Sequence, residues 1–315
     1  MPKTYIIGHQ KPDTDAVVAA MALAYLHESS PAHAEHENSV AVIADPLNPE
    51  TTFLFEKFGI AAPQQITAAD IAPEDKIVLV DHNEEVQRLA GINPDQIVNI
   101  VDHHKANINF NGPICLVFRP WGSTSTIVYH MMKIKNVVPS KTIASLMLAA
   151  ILSDTVGYKS ATTTQKDKEY GAELAQIAEI GDVEAFTLEI FKAKSDVSQL
   201  SDIEIVKNDY KVFEFSKKTM IDQLETVEQD MILTEKKASL LAAMQTVKAE
   251  LGVELLFVAI TDILKVNTKL LILGEAEASV AQKAFGGTVS DNMIDIGPKM
   301  SRKKEIAPAI EKAVA

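Results

Sequence analysis

Over the first ~190 residues, short apolar runs alternate with longer stretches whose apolar residues recur at helical spacing. The short runs cover residues 5–8, 40–44, 77–81, 98–102 and 114–118. They are rich in β-branched residues and predict strands. Helices are predicted from Thr14 ("TDAVVAAMALAYLH") and over 48–58, 84–90 and 123–134. Residues 140–152 are apolar almost all round, which predicts a buried helix, and 166–179 and 183–193 add two amphipathic ones. Strands alternating with helices predict an α/β domain built on a parallel sheet.

The rhythm changes at "AKSDVSQLSD", small, polar and charged. The expected division is a first domain over 1–193, a linker over 194–200 and a smaller second domain over 201–315. In the second domain, 211–215 and 219–227 predict paired strands, and 228–251 one long helix. Residues 254–263 and 268–274 predict two more strands, separated by "LKVN". This half is expected to be α+β with a mixed sheet, and the chain shows no internal repeat or low-complexity segment.

With 315 residues, 47% hydrophobic and 23% charged, the chain can bury two cores and has the balance of a soluble globular protein. A net charge of −13 without a basic stripe argues against long nucleic acid as partner. No apolar run reaches the ~18 residues of a membrane span. Cys115 is the single cysteine, which excludes a disulfide framework or thiolate cluster and suits a cytoplasmic location. Lying mid-strand, it is expected to be buried and inert.

The chemistry concentrates at predicted strand ends. "TYIIGHQKPDTDA" stops at Gly8 and brings His9, Asp13 and Asp15; "IVLVD" ends in Asp81; "IVNIVDHH" ends in Asp102, His103 and His104. Carboxyl ends of parallel strands share one edge, where ligands bind in open α/β sheets, so these residues can converge. "ILSDT" adds Asp154 at the end of the buried helix. Clustered carboxylates repel one another unless cations sit between them. Imidazole with carboxylate and no thiolate suits Mn²⁺ or Co²⁺, whereas Mg²⁺ seldom recruits imidazole. Such a set can hold two ions if one carboxylate bridges, and ions ~3.5–4 Å apart can share a hydroxide that attacks phosphorus. In the second domain Ser301, Arg302, Lys303 and Lys304 precede a helical stretch, a pattern suited to gripping phosphate.

"GHQKPDTDA", "VDHNE", "VDHHK", "LSDT" and "SRKK" together resemble the manganese-dependent (family II) inorganic pyrophosphatases of the DHH phosphoesterase superfamily, over nearly the whole chain. The resemblance implies a DHH domain followed by a DHHA2-type domain, with the active site in the cleft between them. It implies hydrolysis of pyrophosphate to two orthophosphates by a hydroxide activated between two Mn²⁺ ions, with additional Mg²⁺ arriving with substrate. His9, Asp13 and Asp81 would hold one ion; Asp15, Asp81, His103 and Asp154 the other. His104, Arg302 and Lys303 would contact substrate. A further substrate lysine falls in "NDYK" and points to Lys211, with Lys207 as the alternative. A homodimer is implied, and regulation by adenine nucleotides is not expected, because the chain lacks the inserted CBS pair of some relatives.

Other polar features read as structural. Residues 33–37, "HAEHE", are expected to form a solvated loop, His27 and His130 to pack or face solvent, Trp121 to pack, and His82, beside Asp81, to orient a ligand. The rival readings are an exopolyphosphatase, another DHH-type phosphodiesterase or exonuclease, and a non-catalytic metal or phosphate binder. Nuclease relatives carry a glycine-rich, histidine-ended motif in the second domain; here Gly286 and Gly287 are followed by Thr288.

Overall fold

The computed structural model describes residues 2–30, 38–198 and 200–315. The chain divides into two compact units, Met1–Ala193 and Lys194–Ala315. The "HAEHE" segment lies outside the described residues. No helix among the described residues is long and apolar enough to cross a membrane.

The first unit is a six-stranded sheet in the order β3-β2-β1-β4-β5-β6. Its strands are β1 Thr4–Ile7, β2 Ser39–Ile43, β3 Gln64–Gln65, β4 Lys76–Val80, β5 Ile97–Asp102 and β6 Cys115–Phe118. Every pairing is parallel, as the alternation of strand and helix requires. Side chains alternate across the sheet: Ile6, Val78 and Val80 join one core, and Tyr5, Ile7, Ile77 and Leu79 the other. The larger core takes in helices α1 Thr14–Ser29, α2 Pro49–Phe58, α3 Thr124–Ile134, α4 Lys141–Asp154, α5 Gln165–Ala178 and α6 Val183–Lys194. In α4 every residue from Ala144 to Ser153 is buried, matching its all-round apolar pattern.

Two expectations fail in this unit. Residues 84–90 form only a one-turn 3₁₀ segment, Glu85–Gln87. The carbonyls that would extend a helix are used elsewhere: Gln87 O accepts from Gln10 N at 2.9 Å, and Arg88 O accepts from the Gln10 side chain. Cys115 is exposed rather than buried, because β6 is the edge strand and its first two residues face solvent.

The second unit is a five-stranded sheet in the order β11-β10-β9-β8-β7. It comprises β7 Tyr210–Glu214, β8 Lys218–Thr226, β9 Leu255–Asp262, β10 Asn267–Ile272 and β11 Met293–Asp295. Only β8 and β9 pair in parallel, so the sheet is mixed as expected. The expected long helix opens at Lys236 (φ −113°) into α8 Gln229–Glu235 and α9 Lys237–Leu251. Ile232 and Leu233 before the break, and Leu240 and Met244 after it, still reach one core. Three further helices complete the unit: α7 Asp202–Val206, α10 Glu275–Phe285 and α11 Ala307–Val314.

Candidate metal centre

Strands β1, β4 and β5 are neighbours, so their carboxyl ends deliver His9, Asp81 and the 102–104 triplet to one edge. Gly8 lets the chain leave β1 against α1: a Cβ there would lie 2.7 Å from Ala16 Cβ and 2.9 Å from Ala16 O. Asp13 caps α1, accepting from Ala16 N at 3.0 Å, which sets Asp13 and Asp15 at that helix's first turn. Asp81 leaves β4 with φ +61°, a left-handed conformation that Asp tolerates better than most residues. Asp154 is the last residue of α4.

Together these elements build two overlapping ligand sets around Asp81, and His104 forms a third group with Asp81 and His103. His9, Asp13 and Asp81 offer ligand atoms that all lie within 4.8 Å of one another, as do Asp15, Asp81, His103 and Asp154. Nε2 of His9 is 3.6 Å from Asp13 Oδ1 and 3.6 Å from Asp81 Oδ2. Nε2 of His103 is 3.3 Å from Asp81 Oδ1 and 3.8 Å from Asp154 Oδ2. Each imidazole is anchored from behind: Nδ1 of His9 lies 2.7 Å from Gln10 O, and Nδ1 of His103 2.9 Å from Trp121 O. Donation to those carbonyls keeps the proton on Nδ1 and turns Nε2 toward the carboxylates, where it can give up its own proton to a metal.

Charge in the cluster is only partly neutralised by protein donors. Asp15 is the best provided: it accepts from Ser123 Oγ (2.8 Å), Thr124 N (2.6 Å) and Ser125 N (3.0 Å) at the N-terminus of α3. Asp81 accepts from Thr124 Oγ1 at 2.9 Å, yet burial, reinforced by the Asp15 charge, pushes its carboxyl up to about 7. Burial, then Asp15 and Asp81, raise the Asp154 carboxyl well above the ordinary range. Burial works against a charged imidazole at His9, but Asp13 outweighs it and lifts the group to about 9; at His103, Asp81 does the same against burial, also to about 9. The cluster therefore holds protons in the absence of another cation, and a divalent ion would supply that positive charge instead. Anchored imidazoles among buried carboxylates fit a borderline metal such as manganese.

His104 is placed differently. Its Nδ1 lies 2.9 Å from Asp102 Oδ1, its side chain is half exposed, and Asp102 holds the imidazole above its ordinary range. Buried Asp102 also accepts from Asn83 Nδ2 at 2.6 Å. Sequence reasoning did not assign this support, nor the Ser123–Thr124–Ser125 donors; the run "GSTSTI", typical of a helix N-terminus, is the signal that could have exposed the latter. His82 is buried, its Nδ1 lies 2.9 Å from Val80 O, and its ring meets that of the ligand candidate His9 edge-on, with 6.3 Å between centroids. His130 bonds Tyr170 Oη at 2.8 Å, and Trp121 packs edge-on against both rings.

In the second unit, Ser301 caps a wide π-type turn, Arg302–Ile306, that runs into α11, so "SRKK" opens the helical segment rather than preceding it. Arg302 Nη2 donates to Asp209 Oδ1 at 3.0 Å, and Arg302 N to Gln223 Oε1 at 2.8 Å. Lys303 is exposed. Lys207 is paired with Glu250 at 2.7 Å, whereas Lys211, on β7, has no ion pair among the described residues and lies 5.5 Å from the Phe213 ring centroid.

A parallel-sheet unit with Asp and His at its strand ends, followed by a smaller mixed-sheet unit, defines a two-domain protein of the DHH type. The model of the DHH family N-terminal domain matches residues 3–151, and that of the DHHA2 domain residues 188–313. The manganese-dependent inorganic pyrophosphatase of Methanocaldococcus jannaschii is 36% identical over 320 residues, covering 98% of each chain. The enzyme of that name from Methanothrix thermoacetophila is 36% identical over 312 residues, covering 98% of this chain and 97% of its own. A crystal structure of a Methanococcus jannaschii protein ascribed to the family II inorganic pyrophosphatases superposes with a TM-score of 0.62, at 34% identity and 99% coverage of both chains. The chain belongs to the manganese-dependent inorganic pyrophosphatase family.

Proposed function

We propose that this chain hydrolyses inorganic pyrophosphate to two orthophosphates, using two Mn²⁺ ions. The observation that carries the reading is Asp81, whose carboxylate belongs to both ligand sets, in a chain that matches these pyrophosphatases from end to end. His9, Asp13 and Asp81 hold one ion, and Asp15, Asp81, His103 and Asp154 the other. Bound there, such ions acidify water and neutralise charge on phosphate oxygens.

The remaining residues act on the substrate. Asp102 fixes Nδ1 of His104 and favours its charged form, which leaves Nε2 to donate to a phosphate oxygen. The planar fork of Arg302 takes two oxygens of one phosphate, while Lys303 and Lys211 add point charges that absorb negative charge as the bridging oxygen leaves. Lys211 is favoured over Lys207 for this role because the Lys207 ammonium is committed to Glu250. Co²⁺ can replace Mn²⁺ in this donor set, Mg²⁺ enters with the substrate, and the enzyme acts in the cytoplasm as a homodimer, without nucleic acid.

The test is phosphate release from pyrophosphate, tripolyphosphate and a dinucleotide with Mn²⁺ present. Pyrophosphate should be strongly preferred. Comparable cleavage of tripolyphosphate would favour the exopolyphosphatase reading, and of the dinucleotide the phosphodiesterase reading.

A further inference from the structure

Arg302 sits in a cradle assembled from two strands. Asp209 directly precedes β7, and the β7–β8 register, with Tyr210 opposite Asp222, places Asp209 opposite Gln223. The ladder continues to this pair: Gln223 N donates to Asp209 O at 3.2 Å, and Asp209 N donates to the buried Asp222 Oδ1 at 3.0 Å. Both members of the pair then hold the arginine. The Gln223 side chain accepts from Arg302 N at 2.8 Å and donates to Met300 O at 2.9 Å, which pins the turn. The Asp209 side chain accepts from the guanidinium at 3.0 Å.

This contact differs from an ordinary surface pair, which contributes little because both side chains remain free to move. The Arg302 side chain is only 17% exposed, and its Nη1 is buried without a hydrogen-bond partner among the described residues. Asp209 is 61% exposed but stands on a backbone bonded from both sides. A carboxylate next to a phosphate-binding arginine weakens anion binding by its charge, so its contribution must lie elsewhere. Orientation is what it can supply. Lys211 follows Asp209 by two residues, and alternation along an extended strand puts the two side chains on one face.

We propose that Asp209 is a positioning residue: its carboxylate aims the Arg302 guanidinium and ties it to the strand that carries Lys211, so that the two cations meet phosphate in fixed relation. The inference rests on the reading that Arg302 contacts substrate.

A double-mutant cycle on the Mn²⁺-loaded full chain tests it, with pyrophosphate as substrate and metal content and thermal midpoint as controls. Asp209→Ala should lower kcat/KM about tenfold, chiefly through kcat, and Asp209→Asn, which keeps an acceptor oxygen, about threefold. In an Arg302→Ala background, Asp209→Ala should cost less than about twofold, because the group it aims is gone. An undiminished tenfold loss in that background would reduce Asp209 to a structural role and overturn the proposal. A gain in kcat/KM for Asp209→Ala would also overturn it, by making the carboxylate a competitor of the substrate. If Arg302→Ala alone behaved like the parent, the clamp reading itself would fall and this inference with it.

Discussion

The carboxylates of the first unit are short and set at strand and helix ends, Asp15 and Asp81 fully buried, whereas the cations of the second are long, and Arg302 takes its direction from another side chain. Asp15 has two backbone amides and a hydroxyl on its carboxylate, and its position follows from where α1 and α3 begin. Arg302 reaches Asp209 across 93 residues of sequence. The difference teaches how each unit can fail. A short ligand moves only if the backbone moves, so the metal centre should respond to substitution all at once. A long cation loses aim before it loses charge, so the second unit should respond in degrees.

The largest expected effect is at the residue both ligand sets share. Asp81→Ala should lower kcat by about 10³-fold or more and disturb both ions. Metal content per chain is the measurement, and full two-ion occupancy in the variant would remove Asp81 as the bridge. Stripping metal with a chelator should abolish activity in the same way, with Mn²⁺ or Co²⁺ restoring it better than Mg²⁺. Equal recovery with Mg²⁺ would deprive the two imidazoles of their assigned importance.

Next in size is Arg302→Lys, which keeps charge but loses the fork. A loss of about 10²-fold in kcat/KM is expected, ~3 kcal/mol of transition-state stabilisation, with Mn²⁺ affinity nearly unchanged. All six proposed metal ligands precede the second unit, so a fall in metal affinity would collapse the contrast between the two units.

A smaller effect concerns stability beneath the arginine. Burial pushes the Asp222 carboxyl up to about 7, with the nearby Asp209 charge adding to it and the Arg302 charge opposing it. The native chain therefore binds more protons at this position than the unfolded chain between pH ~4 and ~7, and its contribution to stability falls as pH rises through that window. Asp222→Asn keeps an acceptor for Asp209 N and removes the titration. Relative to the parent, the variant should gain stability from pH 5 to pH 8, on the order of 3 kcal/mol at most. Urea denaturation at both pH values reads this, and a constant difference would mean that Asp222 does not titrate there. The smallest expectation is for Lys207→Ala, whose kcat/KM should stay within about twofold of the parent because only a partly exposed pair with Glu250 is lost. A large loss would exchange the roles of Lys207 and Lys211.

What was legible in the sequence follows the same division. The five long strands of the first sheet and its parallel order could be read because runs such as "TYII" and "KIVLV" are buried on both faces. The six ligand candidates could be read because strand ends place His9, Asp81 and His103, and helix ends place Asp13, Asp15 and Asp154, with little help from distant contacts. Illegible features depended on contacts distant in sequence. Helix α10 was missed because its buried face includes Glu277, a charged residue accommodated by Lys248 of α9, which spoils the apolar periodicity. Residues 84–90 carry a helical pattern, but their carbonyls serve Gln10. Asp209 stands in "NDYK", the stretch that points to Lys211, but nothing in those residues shows that its carboxylate meets Arg302.

The left-handed backbone at Asp81 also restricts what an evolving lineage can try at that position. Few residue types accept φ +61° at low cost, chiefly Gly, Asn, Asp and His, and of these only Asp brings an anionic oxygen. Glutamate would keep the charge and strain the chain; asparagine would keep the chain and lose the charge. On the proposed ligand assignment, adaptation to a scarcer or more abundant metal runs through the other ligands, His9 and His103 foremost, rather than through the residue they share.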